Sequence, residues 1–119
     1  MRYTPAAMAL ALLAAVTASV GHSAPPAPLD ARAAALVAEG RKALAEGKVE
    51  EAVDSFEAAL TIQPGHVAIY LNLAEATRKQ GLQGKALRYY REALKLDPDN
   101  QYAIAGEGEA LVEKGAVEK

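Results

Sequence analysis

The amino-acid sequence predicts an all-α protein: an α-solenoid of antiparallel helix pairs, with two full units and a third partial one, preceded by a signal peptide. Three observations predict it. Apolar residues recur in steps of three and four, and period-two alternation is absent. The stretch Glu50–Pro64 is echoed by Gly84–Pro98, with every matched pair 34 residues apart. Glycine and proline punctuate the chain at that same interval, at Gly47, Gly81 and Gly115 and at Pro64 and Pro98.

The first thirty residues are a different material. Arg2 is a short positive start, and Ala6 to Val20 is an unbroken run of apolar and small residues. Small residues at Gly21, Ser23 and Ala24 follow, then Pro25, Pro26 and Pro28. That order is the plan of a secretory leader, here residues 1–23, with the cut after Gly21 or Ser23. The competing reading is a retained anchor, although a membrane span wants about 20 strongly apolar residues. Residues 24–32 read as an extended proline-rich tether.

Five helices are expected after it. Ala33–Glu46 carries Leu36, Gly40, Ala43 and Leu44 on one stripe. Val49–Ile62 carries Val49, Ala52, Val53, Phe56, Ala59 and Leu60. Val67–Gln80 carries Tyr70, Leu73, Ala74 and Thr77, and Gln83–Leu96 carries Ala86, Leu87, Tyr90, Ala93 and Leu94. Gln101–Lys114 is the fifth, with Asp99 and Asn100 before it as caps. Gly47, Gly81 and Gly115 are read as helix ends, where a left-handed residue is often required. Pro64 and Pro98 stop the second helix of each pair, since proline cannot continue the ladder.

Two helices per unit at a 34-residue period resemble the tetratricopeptide repeat family. The likeness runs from Ala33 to Pro98, with partial continuation to Lys119. It is carried by Gly40 and Ala74, Gly47 and Gly81, Ala52 and Ala86, Phe56 and Tyr90, Ala59 and Ala93, and Pro64 and Pro98. The units are then 33–66, 67–100 and 101–119. The last is a capping helix or a truncated repeat. Glu39, Ala43 and Thr77 depart from the family pattern, which makes the first unit the weaker match.

The resemblance implies a non-catalytic interaction module that grips a peptide or helix in a concave groove lined by the first helix of each pair. Its lining would be Val37, Arg41 and Leu44, then Leu71, Asn72, Glu75, Arg78 and Lys79, then Tyr102, Glu109 and Val112. Asn72 matches an asparagine that holds the ligand backbone in peptide-binding members. The basic set that clamps a terminal carboxylate is incomplete, because Val37, Tyr102 and Gly106 stand at its sites.

Composition excludes other classes. Thirteen basic residues against fifteen acidic ones leave a net charge of −2, with no basic footprint for nucleic acid. Without cysteine there are no disulfides, thiolate metal sites or cysteine nucleophiles. Asp54 and Ser55 are adjacent on a helix and so diverge, and His66 lies in a turn. Together they make no nucleophilic site. No metal or cofactor is expected, because His66 among scattered carboxylates lacks ligand spacing. Gly81–Lys85 is too short for a phosphate loop. The partner expected is a protein or peptide in a bacterial envelope, in the periplasm or secreted. The alternative is a structural subunit anchored in the inner membrane by the leader. Ile104 and Leu111 on the terminal helix add an expectation of self-association.

Overall fold

The computed structural model describes residues 28–118. The expected leader and most of the tether lie outside the described residues. Within them are five helices and no strand: α1 (Ala31–Ala45), α2 (Val49–Ile62), α3 (Val67–Lys79), α4 (Gln83–Leu96) and α5 (Gln101–Glu118).

α1 begins two residues before the expected start. Asp30 is its N-cap, with an extended ψ of 144° and a carboxylate that accepts from the Arg32 N–H at 2.9 Å. This bond satisfies one of the orphan donors at a helix start. Arg32 and its backbone bond hold the Asp30 carboxyl below its ordinary value. Gln63 ties the same segment down. Its Oε1 accepts from the Asp30 N–H at 2.6 Å, and its Nε2 donates to the Pro28 carbonyl at 3.1 Å. The tether therefore meets the end of α2, a contact no local pattern announces.

The two tight turns are built alike. Gly47 takes φ 80° and Gly81 takes φ 83°. Lys48 N–H reaches back to the Ala43 carbonyl at 2.8 Å, and Leu82 N–H to Thr77 at 3.0 Å. Those bonds close the helix end in the way only a left-handed residue permits. Gly115 does not repeat this turn. It lies inside α5, which continues to Glu118. Glycine permits the turn, while the next helix packing back imposes it. Among the described residues no helix follows Gly115.

At the start of α5 the Asn100 carboxamide accepts from Ala103 N–H at 3.0 Å, so Asn100 caps as expected. α2 and α4 stop two residues short of Pro64 and Pro98, since the residue before proline is pushed out of the helical region.

Consecutive helices pack on one another. α1 also packs on α3 and α3 on α5, whereas α2 and α4 stay further apart and reach each other through long side chains, as in the Lys85–Glu57 ion pair at 3.9 Å. The first helices of the pairs therefore share the inner side of the stack. The core is mostly alanine: Ala33, Ala52, Ala59, Ala74, Ala76, Ala86, Ala93 and Ala103 are fully buried. Small residues bring helix axes within about 8–10 Å, and larger ones fill the spaces that remain. Phe56 is fully buried over Gly40, where an added Cβ would lie 2.5 Å from its ring. Tyr90 lies over Gly106, which belongs to the first helix of the next unit. Thr77 is buried with its hydroxyl donating to the Leu73 carbonyl at 2.8 Å, so its polar atom is satisfied.

Candidate functional site: the inner face

Two groups of side chains line the inner side. The first is a hollow of about 250 Å³ between α1 and α3, walled by Arg41, Leu44 and Ala45 from one helix and Asn72, Glu75 and Lys79 from the other. Spacings of three and four put each trio on a single helix edge. Two cations, one carboxylate and one amide converge there above an apolar floor from Leu44. The Asn72 Nδ2 donates to the Ala68 carbonyl at 2.9 Å, which sets the plane of the amide along the wall.

The second group lies one step further along, between α3 and α5. Arg78 Nη1 is 2.9 Å from Glu109 Oε2 and 3.2 Å from Glu113 Oε1. Tyr90 brings its phenol beside the same guanidinium. Burial works against the charge on Arg78, but Tyr90, Glu113 and Glu109 outweigh it and hold the group above the ordinary arginine value. Burial pushes the Tyr90 phenol up, with Arg78 opposing.

Of the seven polar residues expected in the groove lining, the structure brings Arg41, Asn72, Glu75 and Lys79 together. Arg78 and Glu109 pair with each other in the next gap. Tyr102 joins neither group and is 80% exposed at the start of α5. Val37, expected in the groove lining, is buried in the first core cluster instead. It sits one helical turn before Arg41, in a cluster that draws on α1, α2 and α3.

Sequence reasoning missed Ala45 and Glu113. Ala45 carries no chemical signal. Glu113 carried one: it stands 34 residues after Lys79, so the charge at that repeat position reverses between units. Among the described residues no cluster of three metal-ligating side chains occurs. None of their helices is long and apolar enough to cross a membrane.

A family model described as tetratricopeptide repeat matches residues 37–101 and again 71–119. The chloroplastic tetratricopeptide repeat domain-containing protein PYG7 of Arabidopsis thaliana is 36% identical over 58 residues, 49% of this chain and 19% of that protein. The CTR9 homolog of the same plant is 34% identical over 73 residues, 61% of this chain and 7% of that protein. The chain thus spans a small part of either relative's length.

Among solved structures, the Sgt2 TPR domain from Aspergillus fumigatus is similar with a TM-score of 0.72 and 25% identity, over 80% of this chain and 64% of that one. The first TPR domain of Spaghetti (RPAP3), bound to the HSP90 peptide SRMEEVD, gives 0.69 and 23%, over 73% and 69%. Its second TPR domain, bound to the same peptide, gives 0.69 and 23%, over 74% and 82%. At 23% identity these last two likenesses speak for the fold alone.

Proposed function

The chain belongs to the tetratricopeptide repeat family, and from that premise we propose that it is a non-catalytic interaction module holding an extended peptide in the hollow between α1 and α3. One observation carries this reading: Arg41, Asn72, Glu75 and Lys79 converge on an open recess of the inner face. An amide suits a peptide backbone, since it both donates and accepts. Arg41 and Lys79 favour a carboxylate side chain on the ligand, and Glu75 beside them favours a neighbouring cation or amide. The Spaghetti domains, which share the fold, are bound to a peptide with acidic residues; an acidic peptide is the ligand we propose for this hollow on the strength of Arg41 and Lys79. A terminal-carboxylate clamp is a poorer fit. Val37 is buried, and Gly106 lies beneath the Tyr90 ring.

The place of action we infer is the bacterial envelope, in the periplasm or secreted, on the strength of the leader-like Arg2–Ala24. A membrane-anchored structural subunit is the second reading, favoured only by the unbroken apolar character of Ala6–Val20, whose fifteen residues fall short of the roughly 20 a membrane span wants. N-terminal sequencing of the mature protein separates them: an intact Met1 on membrane-bound material selects the anchored form.

The groove is tested by fluorescence polarisation against a pool of short labelled peptides with and without glutamate. Lys79→Ala should weaken the acidic peptides about tenfold, the equivalent of ~1.4 kcal/mol, and leave neutral ones unchanged. If Asn72→Ala combined with Lys79→Ala changes no bound peptide's affinity, the hollow is not the site.

A further inference from the structure

On the outer side of the stack α2 and α4 run in the same direction, and their exposed stripes carry opposite charge. Three equivalent positions, one repeat apart, invert in sign: Glu51 and Lys85, Asp54 and Arg88, Glu57 and Arg91. Steps of three keep each trio on one side of its helix. α2 holds no basic residue, and the one carboxylate of α4, Glu92, is paired by Lys95 at 2.7 Å. Tyr89 lies between the two stripes, half-buried and packed against both core clusters. The inner face does not share the pattern: Arg41 and Glu75 invert, but Ala45 and Lys79 do not.

The fold itself accounts only for the edges of this pattern. The helix dipole favours Glu50 and Glu51 in the first turn of α2 and Lys95 in the last turn of α4. Glu57 meets Lys85 within the chain at 3.9 Å, and Arg91 meets Glu107 at 3.6 Å. Asp54 and Arg88 stand mid-helix, beyond the reach of either helix end. Both are exposed, and among the described residues neither enters an ion pair. Each is the unmatched charge at the centre of its stripe.

We propose that this outer face binds a second copy of the chain, about a two-fold axis lying in the cleft between α2 and α4. A two-fold interface must match itself, and a charged face can do so only if it carries both signs at exchangeable positions. Turned about that axis, α4 of the second copy lies on α2, and α2 of the second copy lies on α4. Asp54 meets the second copy's Arg88, Arg88 meets the second copy's Asp54, and Tyr89 lies near the axis. Exposed ion pairs contribute about 0–1 kcal/mol each and are screened by salt. Each is made twice here, so association belongs in the micromolar range and depends on ionic strength. The interface is independent of the peptide hollow, which lies on the inner side between α1 and α3.

Charge reversal distinguishes a second copy from any other charged partner, and sedimentation equilibrium of the full chain reads it. At about 100 μM, a concentration suited to micromolar affinity, the wild type should have the mass of two chains in about 0.02 M salt and of one chain in about 0.5 M. Asp54→Arg alone and Arg88→Asp alone should each weaken association at least about tenfold, because like charges then meet across the axis. Helicity should be unchanged, since both side chains are exposed. An equal mixture of the two variants should return to the mass of two chains, and so should the double variant Asp54→Arg with Arg88→Asp. Both restore opposite charges at every contact. A wild type that stays a single chain in low salt overturns the proposal. So does association that survives Asp54→Arg, which would run through another surface. Single variants that neither mix nor combine to restore it mean that the face meets a different charged protein. Growth beyond two chains overturns the two-fold arrangement.

Discussion

Gly40 and Gly108 hold the same place in the repeat, two periods apart, yet they live in opposite surroundings. Gly40 is buried in α1 with the Phe56 ring against it, and Gly108 is exposed in α5 with nothing near. The local sequences are similar and both glycines are helical. What differs is the second helix of the unit, present over α1 and absent over α5 among the described residues. Repeat position therefore sets which face of a helix is apolar. It does not set whether that face is covered. The same residue type is a packing requirement in one unit and a helix weakness in the other.

The strongest way to break this comparison is to remove what covers Gly40. Phe56 is fully buried between the first pair and α3. Phe56→Ala should cost about 3–5 kcal/mol, as large-to-small changes of core aromatics do. Tyr102→Ala on the open side of α5, where the ring is 80% exposed, should stay within about 0.5 kcal/mol. Urea denaturation followed by circular dichroism measures both. Equal losses would mean that α5 is covered after all.

The glycines themselves give the next effect, and here the sign should differ. At Gly40 an added methyl meets the Phe56 ring at 2.5 Å. Overpacking of this kind costs about 1–3 kcal/mol, which exceeds the roughly 0.5–1 kcal/mol that alanine gains over glycine in a helix. Gly40→Ala should therefore destabilise. Gly108→Ala finds open space and should stabilise by about 0.5–1 kcal/mol. If both substitutions stabilise, the Phe56 ring yields, and the close approach in α1 is not a constraint.

Most of the fold was legible from the 34-residue period, because the features that carry it are local. Helical stripes, left-handed glycines and prolines each act within a few residues of themselves, so the five helices follow in order. The errors fall where distant residues decide. Asp30 is polar and follows prolines, and it reads as tether until Gln63 is seen holding its backbone. Gly115 looks like Gly47 and Gly81, yet no later helix among the described residues turns the chain there. Part of the inner face was legible too: the family resemblance says that the first helix of each pair lines the groove, and repeat position then picks out Arg41, Asn72, Glu75 and Lys79. Arg78 shares that position logic, but its neighbours Glu109 and Glu113 lie a full repeat away, and only stacking brings them onto it.

Tyr90 is the intermediate case, and it offers the smallest effect. It occupies the repeat position of Phe56 and is nearly as buried, but it covers Gly106 and carries a hydroxyl beside Arg78. Tyr90→Phe keeps the ring and loses the polar contact, which should cost about 0.5–1.5 kcal/mol near neutral pH. The pH dependence gives the sharper reading. Burial raises the phenol above its ordinary value, so the folded state favours the neutral form. That contribution is fully present below the unfolded value of about 10 and is lost as pH rises through the folded one. Wild-type stability should thus fall faster than that of Tyr90→Phe in the alkaline range, with the half-buried Tyr89, also raised by burial, keeping part of the slope in both. Parallel curves for the two proteins would show that the hydroxyl reaches water. In that case the second junction would be a simple copy of the first.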